Sequence, residues 1–237
     1  TIAHKQKKKF QLVLSPTNPR ICQERAQRMV SLKPNGFQIT LPDWWPPTFN
    51  ESKNFILGMQ EVVEDIYMIL YNPPHAKVLL SLEEIRLLKQ SVQNLVGIKC
   101  AGGDEQWYSQ RRELLDDFSV FVPGHTVVYG KPLGANGSYS NVACLSPNGA
   151  VKIWDLIEKD YEKAKELEAK VLNFMKQYIL PFATKLSNTG LDKLLASVGG
   201  WGPVSEKVLW PYDGATAEDV KKIKIHANNE LKEILNV

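Results

Sequence analysis

Strand-like runs recur along the first part of this chain and alternate with amphipathic helical segments. The runs cover residues 10–14, 36–41, 66–71, 95–99, 118–122 and 137–142. They recur at roughly 20–30 residues, which is the period of a βα unit. The helical candidates between them cover residues 19–32, 50–63, 81–92 and 105–115. This alternation predicts an α/β fold with a parallel sheet.

The strand pattern stops after about residue 145, as the sequence shows. Residues 151–176 carry Glu and Lys at helical spacing. Residues 174–197 are apolar at the same spacing, with a break at Pro181. A final helix is predicted over residues 216–235. We therefore expect a β/α barrel portion over residues 1–155 and a C-terminal helical region over residues 156–237.

Two parallel architectures compete at this point, the doubly wound open sheet and the (β/α)8 barrel. No Gly-x-Gly-x-x-Gly loop follows any of the strand runs, which disfavours the dinucleotide-binding form of the open sheet. Six βα units are too few to close the usual barrel. Because the chain begins at Thr1 with what reads as the end of a helix, we expect earlier βα units to be absent from it.

Charge and composition exclude several classes of function. The formal net charge is only +3, and the basic run at residues 5–9 stands alone, so nucleic-acid binding is not expected. No apolar stretch is long enough to span a membrane, and no secretory signal pattern is visible. Cys22, Cys100 and Cys144 lack metal-ligand spacing and are predicted to be reduced thiols. We expect a cytoplasmic protein without a metal.

Lys99 is the residue that suggests a chemistry. It ends the apolar run 95–99, where an ammonium ion would be costly to bury. Burial favours the neutral amine, which can attack a carbonyl and form a Schiff base. Tyr71 ends the preceding strand, so the two side chains could meet, and a phenol there could shuttle protons. The alternative for Tyr71 is a rim tyrosine with a solvated hydroxyl.

The residues around this pair resemble those of a known family. Tyr71-Asn72-Pro73-Pro74, followed roughly 25 residues later by Gly97-Ile98-Lys99, is similar to the signature of the dihydrodipicolinate synthase/N-acetylneuraminate lyase family. Further similar segments follow in family order: residues 42–47, Gly124, residues 134–142 and residues 199–204. The resemblance implies a TIM barrel with a helical C-terminal appendix and class I aldolase or dehydratase activity.

The resemblance also implies roles for individual residues. Lys99 would form an imine with a 2-oxo acid such as pyruvate, and Tyr71 would be the proton shuttle. The backbone around Ser138 and Tyr139 would hold the oxo-acid end of the substrate. The iminium makes a metal or other cofactor unnecessary. The usual assembly of the family implies a homo-oligomer, a dimer or a tetramer.

Departures from the family pattern point to an atypical member. The early carboxylate-binding loop has no counterpart, which fits two missing N-terminal βα units. Ala76 and Trp44 stand where dihydrodipicolinate synthases carry an arginine and a relay tyrosine, and both losses argue against lysine biosynthesis. They also leave open a non-catalytic binding or regulatory relative.

Three polar residues near the expected rim of the barrel are candidates for binding the rest of the substrate. Asp43, His75 and His125 follow strand runs, where functional groups collect in parallel α/β proteins. They could bind the hydroxyls of a sugar-acid chain. The alternative for each histidine is a loop residue hydrogen-bonded to backbone.

Overall fold

The computed structural model describes residues 1–15 and 18–235. The chain divides into two compact units. The first comprises Thr1–Phe121 and Leu133–Gly137, and the second comprises Val122–Pro132 and Ser138–Val237. The division expected at residue 155, between a barrel portion and a helical region, stays a prediction.

A parallel sheet lies mostly in the first unit, and the last two residues of its fifth and sixth strands belong to the second unit. Over the described residues its strands are β1 (Gln11–Leu14), β2 (Gly36–Thr40), β3 (Tyr67–Tyr71), β4 (Leu95–Lys99), β5 (Ser119–Pro123) and β6 (Gly137–Tyr139). They lie in sequential order, and β1 to β5 pair in parallel. Sequential order is typical of a β/α barrel, whereas a doubly wound sheet reverses direction. The prediction of a parallel α/β sheet of the barrel type is confirmed, and the two preceding βα units stay a prediction.

Helices precede or connect these strands at the expected places. They are α1 (Ile2–Lys5), α2 (Pro19–Val30), α3 (Phe49–Val63), α4 (Leu82–Ser91) and α5 (Glu105–Leu114). Two of them begin with a capping box, formed by Thr48 with Glu51 and by Ser81 with Glu84. Each box satisfies backbone N–H groups that have no partner inside the helix. These caps fix where the loops after β2 and β3 end.

Strand alternation separates the core from the candidate site. Ile39, Leu70, Ile98 and Val120 form one register row across β2 to β5, and all four are almost completely buried. Full burial of such a side chain contributes about 1.5–3 kcal/mol. The next row along the strands projects to the opposite face of the sheet. It contains Lys99.

The second unit is largely helical. Its helices are α6 (Val127–Leu133, whose last residue belongs to the first unit), α7 (Asn141–Leu145), α8 (Pro147–Lys159), α9 (Tyr161–Phe174), α10 (Asn188–Gly199), α11 (Ala217–Glu230) and α12 (Lys232–Leu235). A π turn at Met175–Ile179 and a 3-10 turn at Leu180–Thr184 interrupt the helical run, which confirms the predicted break at Pro181. A Cβ on Gly199 would overlap the Leu145 carbonyl oxygen, so α10 packs directly on the backbone of α7.

The sixth strand is shorter than the sequence predicts. β6 ends at Tyr139 rather than at residue 142 because Ser140 is the N-cap of α7. Its hydroxyl accepts a hydrogen bond from the backbone N–H of Ala143, so a helix begins where the sequence predicts a strand. The short helices α6 and α7 were not predicted either. Each has about two turns or fewer, which is too short to show a helical period in the sequence.

Candidate active site

Three strand ends place side chains in one row on the carboxyl edge of the first unit. Thr40 of β2 is in register with Tyr71 of β3, and Tyr71 is in register with Lys99 of β4. Tyr71 and Lys99 are half-buried, and the Lys99 Nζ lies over the Tyr71 ring, 5.2 Å from its centroid. The expectation that these two residues end adjacent strands is confirmed. An amine and a phenol therefore stand together where the strands end.

A cavity of about 330 Å³ opens beside Tyr71. Asp43 and His75 both line it, so the structure brings these two predicted residues to Tyr71. Lys77 and Thr40 line it as well, and the Thr40 hydroxyl lies 3.2 Å from that of Ser15. The full lining is Ser15, Thr40, Leu41, Pro42, Asp43, Tyr71, Pro73, His75, Ala76, Lys77 and Val78. Hydroxyl, imidazole, ammonium and carboxylate groups suit a small polar substrate.

The loop that follows β3 is held by Asn72. The Asn72 side chain is buried; its Nδ2 donates to the Val78 carbonyl at 2.7 Å, and its Oδ1 accepts from the Leu80 backbone N–H at 2.9 Å. The Asn72 backbone N–H donates to the Lys99 carbonyl at 2.9 Å. We call the two side-chain bonds the Asn72 clasp. They close the loop from which His75 and Lys77 reach the cavity.

A second cavity of about 250 Å³ lies against the same loop. Its lining is mostly apolar: Asn72, Pro74, Leu79, Leu80, Ile85, Ile98, Cys100, Ala101, Gly102 and Trp107. Burial raises the pKa of the Cys100 thiol, while a hydrogen bond from the Gly102 backbone and the charge of Lys99 act in the opposite direction. Burial at this cavity therefore disfavours the thiolate form of Cys100.

The remaining predicted site residues, His125, Ser138 and Tyr139, belong to the second unit. His125 lies in a 3-10 turn, and its Nδ1 is 2.9 Å from the side-chain nitrogen of Asn141. The alternative for this histidine was a bond to backbone, whereas its partner is a side chain. The Ser138 hydroxyl oxygen is buried and has no hydrogen-bond partner among the described residues, and Tyr139 is half-buried in β6. Their substrate roles stay predictions.

Three residues of the first-unit site were missed by the sequence reasoning. The sequence predicts a strand over residues 36–41, one residue beyond the end of β2 at Thr40, so the strand-end rule that selects Tyr71 passes over Thr40. Lys77 follows Ala76 in the loop after β3, and a charged residue in such a loop is a candidate. Asn72 belongs to the motif around Tyr71, but no sequence signal shows that its amide bonds to residues six and eight positions later.

Within residues 1–15 and 18–235, no group of three or more His, Cys, Asp or Glu side chains is placed to hold a metal ion. Cys22, Cys100 and Cys144 are free thiols. Among the described helices, none combines the length and apolar character that crossing a membrane requires.

Comparison with known proteins places the chain in a family. The model of the dihydrodipicolinate synthetase family matches residues 23–224, which is most of the chain. This protein therefore belongs to the dihydrodipicolinate synthetase family, as the motif around Tyr71 and Lys99 indicated.

Individual relatives agree with this assignment. The 4-hydroxy-tetrahydrodipicolinate synthase of Teredinibacter turnerae is 33% identical over 106 residues, which cover 44% of this chain and 36% of that relative. The chain thus matches only about a third of the length of this curated relative.

Solved structures show the same fold at lower identity. The N-acetylneuraminate lyase of Fusobacterium nucleatum superposes with a TM-score of 0.79 at 16% identity, covering 95% of this chain and 76% of that one. YagE, a prophage protein of the dihydrodipicolinic acid synthase family from E. coli K12 in complex with pyruvate, gives a TM-score of 0.81 at 19% identity, covering 96% and 76%.

Proposed function

We propose that this protein is a class I lyase that acts on a 2-oxo acid through a Schiff base on Lys99. The observation that carries the proposal is the placement of the Lys99 amine over the Tyr71 ring at adjacent strand ends. Family membership supports it, because the resemblance assigns an imine-forming lysine and a proton-shuttling tyrosine to these two positions.

The first chemical step is formation of the imine. The Lys99 amine attacks C2 of the oxo acid to give a carbinolamine, and loss of water leaves an iminium. A proton must be delivered to the departing hydroxyl, and the Tyr71 phenol is the group on the neighbouring strand that can carry it. Lys99 therefore supplies the nucleophile and Tyr71 the proton.

The second step uses the iminium as an electron sink. In aldol cleavage a base removes the proton from the substrate hydroxyl, the adjacent C–C bond breaks, and its electron pair forms an enamine. In dehydration a carbon-bound proton is removed and hydroxide leaves with a proton. Tyr71 serves either path, so we propose the class of reaction and keep both aldolase and dehydratase within it.

Residues around the cavity would hold the rest of the substrate. Asp43, His75 and Lys77 line it together with the Tyr71 side chain, and we propose that they bind the hydroxyl or acidic groups of a sugar-acid chain. The backbone around Ser138 and Tyr139 is proposed to hold the oxo-acid end, and His125 a hydroxyl. A homo-oligomer, a cytoplasmic location and the absence of a cofactor complete the proposal.

Borohydride trapping with pyruvate tests the Schiff base. Reduction should fix the pyruvate carbons on Lys99 as a secondary amine, which peptide mass spectrometry locates. Lys99→Ala should lose this adduct completely, while Lys131→Ala, a lysine paired with Glu158 in the second unit, should keep it. An unmodified Lys99 in the natural full-length protein would refute the proposal.

A non-catalytic relative is the second candidate. It is favoured by Trp44, exposed at 80%, and by Ala76, since these stand where the synthases carry a tyrosine and an arginine. A Lys99→Ala variant that retains the cellular role of the protein would support this candidate. A panel of aldehydes with pyruvate, run beside sugar-acid dehydration substrates, would support the lyase.

A further inference from the structure

The loop after β3 separates the two cavities of the carboxyl edge. Its residues Pro73 and His75 face the cavity beside Tyr71, whereas Pro74 and Leu79 face the apolar cavity beside Cys100. One loop therefore shapes both spaces. An interaction that fixes the conformation of this loop therefore also fixes the positions of His75 and Lys77 in the cavity beside Tyr71.

The Asn72 clasp is the device that fixes the loop. Both of its partners are backbone groups, the Val78 carbonyl and the Leu80 N–H, so it sets the path of the main chain between them. In addition, the backbone N–H of Asn72 donates a hydrogen bond to the carbonyl of Lys99. The same residue thus ties the end of β3 to the end of β4 and closes the loop.

We infer that Asn72 is a positioning residue that holds the substrate-facing loop of the Lys99–Tyr71 site, so that it governs how tightly the oxo acid binds and leaves imine chemistry itself intact. The part of this inference that concerns substrate binding rests on the proposed function. Asn72 acts through the loop and through the strand end, and it contributes no atom to the reaction.

A matched control exists at the opposite edge of the same sheet. Asn94 is also buried, and its Nδ2 donates to the carbonyls of Glu64 and Ile66 at 2.8 and 2.9 Å. Asn94→Ala removes two buried hydrogen bonds, as Asn72→Ala does, but it does so where β3 begins. A general loss of stability would affect both variants, whereas a positioning effect would appear in only one.

Hydrogen exchange tests the structural part in the full chain. In Asn72→Ala, amides of residues 75–80 should exchange faster by about tenfold, the equivalent of one net hydrogen bond, while Asn94→Ala should leave them unchanged. Unchanged exchange of residues 75–80 in Asn72→Ala would overturn the inference.

Trapping of a longer 2-oxo acid tests the functional part. The concentration of a 2-oxo-3-deoxy sugar acid that gives half-maximal borohydride adduct should rise about tenfold in Asn72→Ala, with the maximal adduct unchanged, and should not move in Asn94→Ala. Equal shifts in the two variants would overturn the inference. If the wild-type protein formed no adduct, the proposed function would fail, and the exchange comparison would still decide whether Asn72 holds the loop.

Discussion

The two edges of the β3–β4 pair use the same device and differ in chemistry. At the amino edge Asn94 bonds to the carbonyls that precede β3, and at the carboxyl edge Asn72 bonds to the loop that follows it. The amino edge has its own cavity of about 430 Å³, lined by Gln60, Glu61, Glu64, Asp65, Tyr67, Gln93 and Asn94. Both edges thus offer a buried asparagine, a tyrosine and a cavity.

Charge distinguishes these edges. The cavity at the amino edge is lined by the carboxylates of Glu61, Glu64 and Asp65, which repel an anion. The cavity at the carboxyl edge has one carboxylate, Asp43, against Lys77 and His75, and it adjoins the Tyr71–Lys99 pair. A 2-oxo acid is an anion, so local potential favours the carboxyl edge. Both cavities are lined by a tyrosine, so a tyrosine alone does not identify the candidate site. The Lys99 amine beside Tyr71 distinguishes the carboxyl edge.

The largest expected difference between the edges concerns Tyr67 and Tyr71, the first and last residues of β3. In Tyr71→Phe the Lys99 amine remains but the proposed proton shuttle is lost, so exchange of the pyruvate methyl protons with deuterated water should slow by about 10²–10⁴-fold. Borohydride trapping at Lys99 should persist but form more slowly, because imine formation then proceeds without the Tyr71 proton. Tyr67→Phe, at the amino end of the strand and 59% exposed, should exchange at the wild-type rate when followed by NMR. Equal slowing in both variants would remove Tyr71 from the mechanism.

The next largest expected effect is a loss of stability when alanine replaces either of two strand glycines. A Cβ on Gly97 would lie 2.7 Å from the Ser119 carbonyl oxygen, whereas a Cβ on Gly36 would lie 3.2 Å from that of Tyr67. Gly97→Ala must push β4 away from β5 and should lower the free energy of unfolding by about 1–3 kcal/mol. Gly36→Ala, at the amino edge, should cost less. Urea unfolding measures both, and a larger loss in Gly36→Ala would contradict this ordering.

The smallest effect concerns the Cys100 thiol beside Lys99. Burial raises the pKa of Cys100 and the Lys99 charge lowers it, so removal of that charge should raise the pKa further. Lys99→Met should therefore slow alkylation of Cys100 by iodoacetamide at pH 8 by roughly threefold. Cys144 is the control, because burial and the charge of Asp192 raise its pKa to about 11. Faster alkylation of Cys100 in Lys99→Met would contradict the assigned sign.

Much of the carboxyl edge was predictable because strand ends follow from local pattern. The apolar run 95–99 coincides with β4, and the runs before it end within one residue of β2 and β3. In a parallel sheet those ends share an edge, which was enough to bring Tyr71, Lys99, Asp43 and His75 into one region. The residue pattern and the family motif selected the same pair.

The rest depends on contacts that no local pattern encodes. The Asn72 clasp joins a side chain to backbone groups of an irregular loop, and irregular loops lack a period from which partners can be read. The start of α7 depends on the Ser140 cap, a single hydroxyl that outweighs the strand-like alternation around it.

The clasp has a consequence for altering this protein. Because Asn72 recognises only main-chain atoms, the two bonds of the Asn72 clasp do not depend on which side chains stand at positions 75–77. Libraries randomised at His75, Ala76 and Lys77, all of which face the cavity, should therefore retain the loop closure while changing which small polar molecules the cavity accepts.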